Sequence, residues 1–395
     1  MKRWHVLFLA FILVFTCAAC GQGQRPAIYT EELLQSGALL SGVRVADGYI
    51  YFEPGEGCIK KLNLQGESIW EKTNPFVREG EPPYLHVYED NVWDGFFAIC
   101  DASSNKPVLA RMDADGGLLW AYEYVGTSYC ALQYAFTLPD GSVVAVGYDE
   151  TRSHPNEAGP SSLLLLKLSA EGELLQQKLI NLDNSDYAHM AQYIPEHGIF
   201  VHNGHNGHHL LLLDDDFEIL WDRILYKHPS VYADYKGEDD FVRDTAVLGK
   251  TIFYSYHGEW SESMGHRVSR LRTLDMKGKA REVKGLPDDM QLIGPAGEYM
   301  AVTGEKGVCL LDTAGKVVLE LPVPGWEKTP HAGATGGMMI THVLKESDGY
   351  TVVYDKFGEP KPQYAVTSYR PLYRETVYAG YDSQGQLLWN YGYTH

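Results

Sequence analysis

The sequence predicts an all-β chain, a seven-bladed β-propeller of four-stranded antiparallel blades, on three observations. A short hairpin phrase recurs seven times, a second hairpin precedes most of its copies, and 27 of the 395 residues are tyrosine. Eight blades are the alternative reading.

The phrase is clearest at Arg111-Met112-Asp113-Ala114-Asp115-Gly116-Gly117-Leu118-Leu119-Trp120 and again at Lys61-Leu62-Asn63-Leu64-Gln65-Gly66-Glu67-Ser68-Ile69-Trp70. A third copy ends in Gln176 instead of tryptophan, and a fourth has Phe217 in place of the glycine. The fifth and sixth, around Gly278 and Gly315, keep the turn without tryptophan, and the seventh restores it at Trp389. An alternating strand ends in Leu-Asp, the Asp side chain caps a tight turn, and glycine takes the left-handed backbone conformation. The following strand is expected to pack its Leu and Trp onto the neighbouring sheet. The hairpins ahead of these copies turn at Asp47-Gly48, Asp140-Gly141 and Asp348-Gly349. Two hairpins make one blade. The turn positions 66, 116, 172, 217, 278, 315 and 385 are unevenly spaced, which suits blades with variable loops and excludes a rigid short-period solenoid.

Lys2 and Arg3 precede an apolar run from Val6 to Phe15, followed by small residues. These features form a secretory signal peptide over residues 1–19. The run is shorter than the roughly 20 apolar residues of a spanning helix. Cys17-Ala18-Ala19-Cys20 resembles the lipobox of bacterial lipoproteins, although Cys17 stands where that family more often has leucine. The resemblance implies a lipid on Cys20 and an extracytoplasmic, membrane-anchored protein. Simple secretion with cleavage near Ala19 is the alternative. Residues 20–37 then hold the lipidated cysteine and a tether, and residues 38–395 a single propeller domain. No later apolar stretch approaches membrane length.

Hydrophobic residues make up 45% of the chain, enough for a core, and charged residues only 22%. Loss of Lys2 and Arg3 with the leader takes the net charge from −19 to −21. That balance argues against nucleic acid and against anionic lipid surfaces as partners, because both would repel the chain. The lipid itself is then the link to the membrane. Of the six cysteines, Cys58, Cys100, Cys130 and Cys309 lie outside the leader and lipid site. Cys100 and Cys130 fall in neighbouring blades and form the one pair considered for a disulfide; the alternative is four buried thiols.

The repeat is similar to the strand-turn-strand repeat of the PQQ-like propellers, a superfamily of quinoprotein dehydrogenases and outer-membrane assembly lipoproteins. The similarity covers residues 38–395 as a degenerate repeat. Quinoprotein repeats usually have one more residue between Asp and Gly than Asp113 to Gly116 allows. The chain has no vicinal cysteine pair and no acidic calcium-ligand cluster, so PQQ is not expected and no cofactor is implied.

Antiparallel order sorts the loops to two ends of each blade. Tight turns within hairpins lie at one end. The connections between hairpins (151–161, 202–209, 257–266 and 356–374) and between blades (73–83, 226–240 and 324–337) lie at the other. Long connections on a rigid scaffold concentrate binding residues. These hold Tyr232, Tyr235, Trp260, Trp326, Tyr364, Tyr369 and Tyr373, a set suited to a sugar, a peptide or a protein; the alternative is that they pack their own loops. His202, His205 and His208, joined by His189 on the inner strand of the same blade, are candidate ligands for Zn²⁺, Cu²⁺ or Ni²⁺ at about 2.0–2.1 Å. The alternative is an Asn-Gly turn with solvated histidines. His86 and His342 fall on inner strands, where they are candidates to face the channel; the alternative is that they are hydrogen-bonded fillers.

No GxSxG elbow, phosphate loop or dinucleotide fingerprint is present. The repeat aspartates are turn caps. The leading expectation is a non-catalytic binding or scaffolding propeller for an envelope protein or extracellular polymer. The rivals are a hydrolase or lyase acting on polysaccharide or peptide, and a metal-binding lipoprotein.

Overall fold

The computed structural model describes residues 30, 33, 42–53, 57–73, 76, 85–90, 92–100, 106–127, 129–150, 161–182, 187–204, 207–227, 241–261, 266–288, 290–326, 337–357 and 374–394. The chain is a seven-bladed β-propeller: seven four-stranded antiparallel sheets, each running from first to fourth strand in sequence order. Blades 1 to 7 span residues 43–73, 85–123, 129–181, 187–227, 241–282, 292–322 and 337–394. Blades 1 to 5 belong to one compact unit, Ile28–Gly294 with Thr313–Lys316; a second holds Pro295–Asp312 and Val317–His395.

Period-two alternation builds the core between blades. In the second strand of blade 3, Val143–Glu150, Val144 and Val146 pack toward blade 4 with Ile199, Val201 and Leu211. Their neighbours Val143 and Ala145 pack toward blade 2 with Phe97 and Ile99. Both faces of the middle strands are therefore apolar, and every residue of Val143–Glu150 is buried. The fourth strands form the outer edge and are largely exposed, as in Ser68–Thr73.

The repeated phrase closes the third and fourth strands as expected. Asp113 Oδ1 accepts from the N–H groups of Asp115 and Gly117. Asn63, Ser169, Asp214, Asp275 and Asp382 cap their own turns in the same way. All seven turn positions have positive φ, including Phe217 at 64°. A β-bulge follows the turn in six blades, leaving Ile69, Leu119, Leu175, Leu220, Val318 and Leu388 without a cross-strand partner. Each of these side chains is exposed.

The bulge re-aims the next residue onto the following blade. The Trp120 indole donates to Ala170 O (2.8 Å) and its ring lies against Gly172, where a Cβ would come within 2.6 Å. Trp221 repeats this on Met276 O (3.0 Å) and Gly278, and Trp70 lies against Gly116. The expectation for leucine is corrected: Leu118, Leu119, Leu174, Leu175, Leu387 and Leu388 are exposed, because only the tryptophan position after the bulge turns inward. Trp389 instead packs over Gly380 in its own blade.

A basic residue on the third strand, paired with that docking position, ties the same end together. Lys61, Arg111 and Lys167 each meet an acid in the inner turn of their own blade, at 2.7 Å for Asp47, 2.6 Å for Asp90 and 3.7 Å for Asp140. Each also reaches the next blade's turn, at Asp115, Ala170 O and Asp215 O. The described cysteines are all buried, and no disulfide joins Cys100 to Cys130.

The docking yields a paired test. Gly172→Ala and Gly141→Ala both place a Cβ at a φ near +86°, but only the first meets a neighbouring ring; Gly141 has nothing within 4 Å. Each should lose about 1–2 kcal/mol to left-handed strain. Gly172→Ala should lose at least about 1 kcal/mol more by overpacking. Urea unfolding of both variants checks this, and equal losses would rule out close docking.

Candidate functional site

The connection end of blades 3 to 5 gathers buried polar groups that the repeat does not require. The first strand of blade 4, Tyr187–Ile194, pairs Ala188 with Asn203 and Met190 with His202, leaving His189 as the bulged residue between them. Bulges stand at matching places in the first strands of blades 3, 5 and 7, at Gln133, Arg243 and Thr341. The bulged backbone is held from the preceding blade. The Tyr134 hydroxyl donates to His189 O, and Gln133 Oε1 accepts the Ala188 N–H at 2.8 Å.

The exposed His189 ring lies 4.9 Å from the His202 ring and 5.9 Å from the His208 ring, nearly parallel to the latter at 13°. His202 and His208 are buried on the second and third strands, with His202 Nε2 and His208 Nδ1 3.1 Å apart. The Thr245 hydroxyl of blade 5 donates to Met190 Sδ and meets His202 Nδ1 at 3.2 Å. That order makes His202 Nδ1–H the donor to Thr245 and leaves His202 Nε2 to accept from His208 Nδ1–H. Burial above all, then the neighbouring His189 and His208, holds the His202 imidazole well below its ordinary pKa. His209 points to the opposite face, where its Nδ1 meets Asp222 at 3.1 Å.

Aromatic and acidic groups continue the site into blade 3. Tyr148 contacts Tyr187 edge-on at 5.0 Å and Tyr129 at 5.8 Å. Buried Asp149 accepts from Tyr124 Oη (2.6 Å) and Thr127 Oγ1 (2.7 Å), which fixes the passage from blade 2 into blade 3. Glu150 and Ser161 are buried beside it in sequence and register.

The structure brings together His189, His202 and His208 and corrects the reading of 202–209 as a connection. The second strand runs to Gly204 and the third starts at Gly207, so His202, His208 and His209 are buried strand residues, not solvated loop residues. As placed, no group of three or more His, Cys, Asp or Glu among the described residues is set to hold a metal ion. Trp326 is buried and donates from its indole to Gly304 O at 2.9 Å, so it packs within its own unit. Trp260 lies on the strand Thr251–Ser261. Cys20, His205, Tyr232, Tyr235, Tyr364, Tyr369 and Tyr373 lie outside the described residues. Tyr129, Tyr148, Tyr187, Met190 and Thr245 were not singled out by sequence; their alternation on strands marks a face but not its neighbours.

No protein-family model and no curated protein matches the chain. In structure it is similar to a Bacteroides caccae protein of unknown function, at 14% identity and a TM-score of 0.38, over 71% of this chain and 92% of that one. It is also similar to the WD40 domain of Neurospora crassa Pan2, at 10% identity and 0.41, over 77% and 84%. A Bacteroides fragilis protein described as exported shares 10% identity at 0.37, over 72% and 82%. At these values the fold rests on the strands themselves.

The neutral imidazole predicts a direction with pH. A histidine held below its usual pKa in the fold is protonated first in the unfolded chain, so stability falls as pH drops below about 6.5. In His202→Gln the melting temperature should fall less between pH 7.5 and 5.5 than in the parent chain. An unchanged slope would place the acid sensitivity elsewhere.

Proposed function

We propose that the chain is a lipid-anchored, extracytoplasmic binding propeller that takes a protein or glycan ligand at the connection end of blades 3 to 5. The observation that carries this reading is the exposed, bulged His189 ring lying over the buried His202–His208 pair, on the strand that also presents Tyr187 to Tyr148. Such an arrangement offers hydrogen-bonding edges and flat apolar faces on rigid strands, the composition of small-ligand and peptide sites.

The path of the chain supports a division of labour between the ends. Thr30 donates to Gln65 O, and buried Leu33 packs where a Cβ on Gly66 would collide with it. Thr30 and Leu33 therefore meet blade 1 at its turn end, opposite the connection end. A lipid on Cys20 would leave the connection end facing away from the membrane. Cys20→Ala should move the protein from the membrane fraction to the soluble fraction; retention in the membrane would exclude the anchor.

Binding is tested by thermal shift of the leaderless chain against glycans, envelope peptides and divalent metals. A ligand at a hundredfold excess over its Kd adds about 2.7 kcal/mol to the stability of the native state. His189→Ala and Tyr187→Ala should remove the glycan or peptide shift while the unliganded melting temperature stays close to the parent's. A shift that survives both changes would move the site elsewhere. The divalent-metal reading is favoured by one distance: nitrogens 3.1 Å apart nearly match the separation of about 3.3 Å for two ligands on one tetrahedral ion. It needs the His189 ring to turn out of its stack. Zn²⁺ should then raise the melting temperature, and His208→Ala should abolish the rise.

A further inference from the structure

We propose that a cavity between the inner turns of blades 1 and 2 is a sugar-binding subsite with Trp93 as its platform. It lies at the turn end, apart from the site of blades 3 to 5. The cavity holds about 270 Å³ and is lined by Arg44, Ala46, Glu89, Trp93 and Asp94. That is just below the range of about 300–1,000 Å³ for small-molecule sites, room for one ring rather than a large ligand.

Trp93 stands apart among the tryptophans whose side chains are described. Trp70, Trp120, Trp221, Trp326 and Trp389 are buried or half-buried, whereas Trp93 is 60% exposed. An isolated exposed hydrophobe needs no explanation in general, but this one is held in place from beneath. Buried Asp90 accepts from the Val92 and Trp93 N–H groups and from Thr137 Oγ1, and its other oxygen takes Arg111 Nε at 2.7 Å. The Arg111 guanidinium, itself buried, lies 5.0 Å from the Trp93 ring centroid. One face of the indole therefore rests on a fixed cation, and the residue keeps its exposure on the other side. Asp94 Oδ1 meets the Ala46 N–H at 3.4 Å and ties the two turns together. A platform already fixed in this way loses little conformational entropy when a ligand arrives.

The surroundings select the ligand class. A second cation on the open face is disfavoured because Arg111 already draws on the indole quadrupole and Arg44 lines the rim. An anion is disfavoured by Glu89 and Asp94. A neutral ring with an apolar face and a rim of hydroxyls suits both features: its C–H face stacks on Trp93, and its hydroxyls meet Arg44 as donor and Glu89 and Asp94 as acceptors.

Isothermal titration of the leaderless chain with cellotriose and with chitotriose tests the proposal. At least one trisaccharide should bind, Trp93→Ala should weaken it at least tenfold, and Asp94→Asn should weaken it measurably, with both variants melting like the parent. If Trp93→Ala melts lower, Trp93→Phe should still bind with intermediate affinity. Failure of both trisaccharides to bind would overturn the proposal. So would binding that Trp93→Ala leaves intact, which would instead point to the connection end. Choline binding that depends on Trp93 would overturn the ligand class.

Discussion

The propeller depends on the docking of one blade's outer strand onto the glycine turn of the next. Two requirements coincide at that turn. The backbone must take a positive φ to reverse direction, and the position must lack a Cβ so that an indole can lie against it. Gly172 meets both, with Trp120 against it and the Ala170 carbonyl taking its N–H. The single exception follows the same logic. Phe217 occupies a left-handed turn in blade 4, where the preceding blade offers Gln176 in place of tryptophan. Gln176 reaches the Asp216 carbonyl through its amide (2.9 Å) and stacks on nothing, so the turn residue is free to bury its ring among Leu138, Ile199 and Leu213. Between blades 3 and 4 the tryptophan and the glycine are lost together, whereas Gly315 and Gly385 are kept without a tryptophan before them, against Val283 and Leu319.

This constraint accounts for how unlike the two ends are. At the turn end, caps, docked rings and the bases Lys61, Arg111 and Lys167 knit blades 1 to 4 together, so the sequence there is bound to the repeat. The connection end also joins blades, as Tyr134 and Gln133 do for blades 3 and 4, but with side chains outside the repeated phrase. Its buried polar residues differ from blade to blade: Asp149 and Glu150 in blade 3, His202 and Asn203 in blade 4, Asp355 in blade 7. Buried polar groups are tolerated only when partnered, and here the partners differ in origin: Tyr124, in the passage from blade 2, for Asp149, Thr245 of blade 5 for His202, and Thr376 on the adjacent strand for Asp355. Variation is possible where the partner changes along with the group it satisfies.

The architecture was legible because its signals are local. An Asp cap and a left-handed glycine three residues later need no knowledge of the rest of the chain, and all seven positions read from the repeat carry positive φ. The site was less legible because its causes are not local. Asn-Gly dipeptides at 203–204 and 206–207 read as a loop, yet one strand runs to Gly204 and the next starts at Gly207, and the flanking imidazoles are strand residues. What buries His202 is Thr245, 43 residues on, together with a bulge at His189 that no spacing rule marks. Trp326 lies in the connection after blade 6 as read, but it is buried there for a non-local reason: its N–H partner is the Gly304 carbonyl, 22 residues back.

The histidine cluster and Trp93 show how a repeat exposes function by departing from itself. In both places a side chain that the blade does not need is fixed by residues that the blade does need. Tyr134 holds the bulge that presents His189 and also packs into the core between blades 3 and 4. Arg111 supports the Trp93 ring while it bridges Asp90 to the turn of blade 3. The scaffold therefore positions both groups without machinery of their own, and a mutation of either support would be felt first as instability. A loss of binding on changing Tyr134 or Arg111 would say little about recognition. The informative changes are at the supported side chains, His189 and Trp93, whose removal leaves the docking intact.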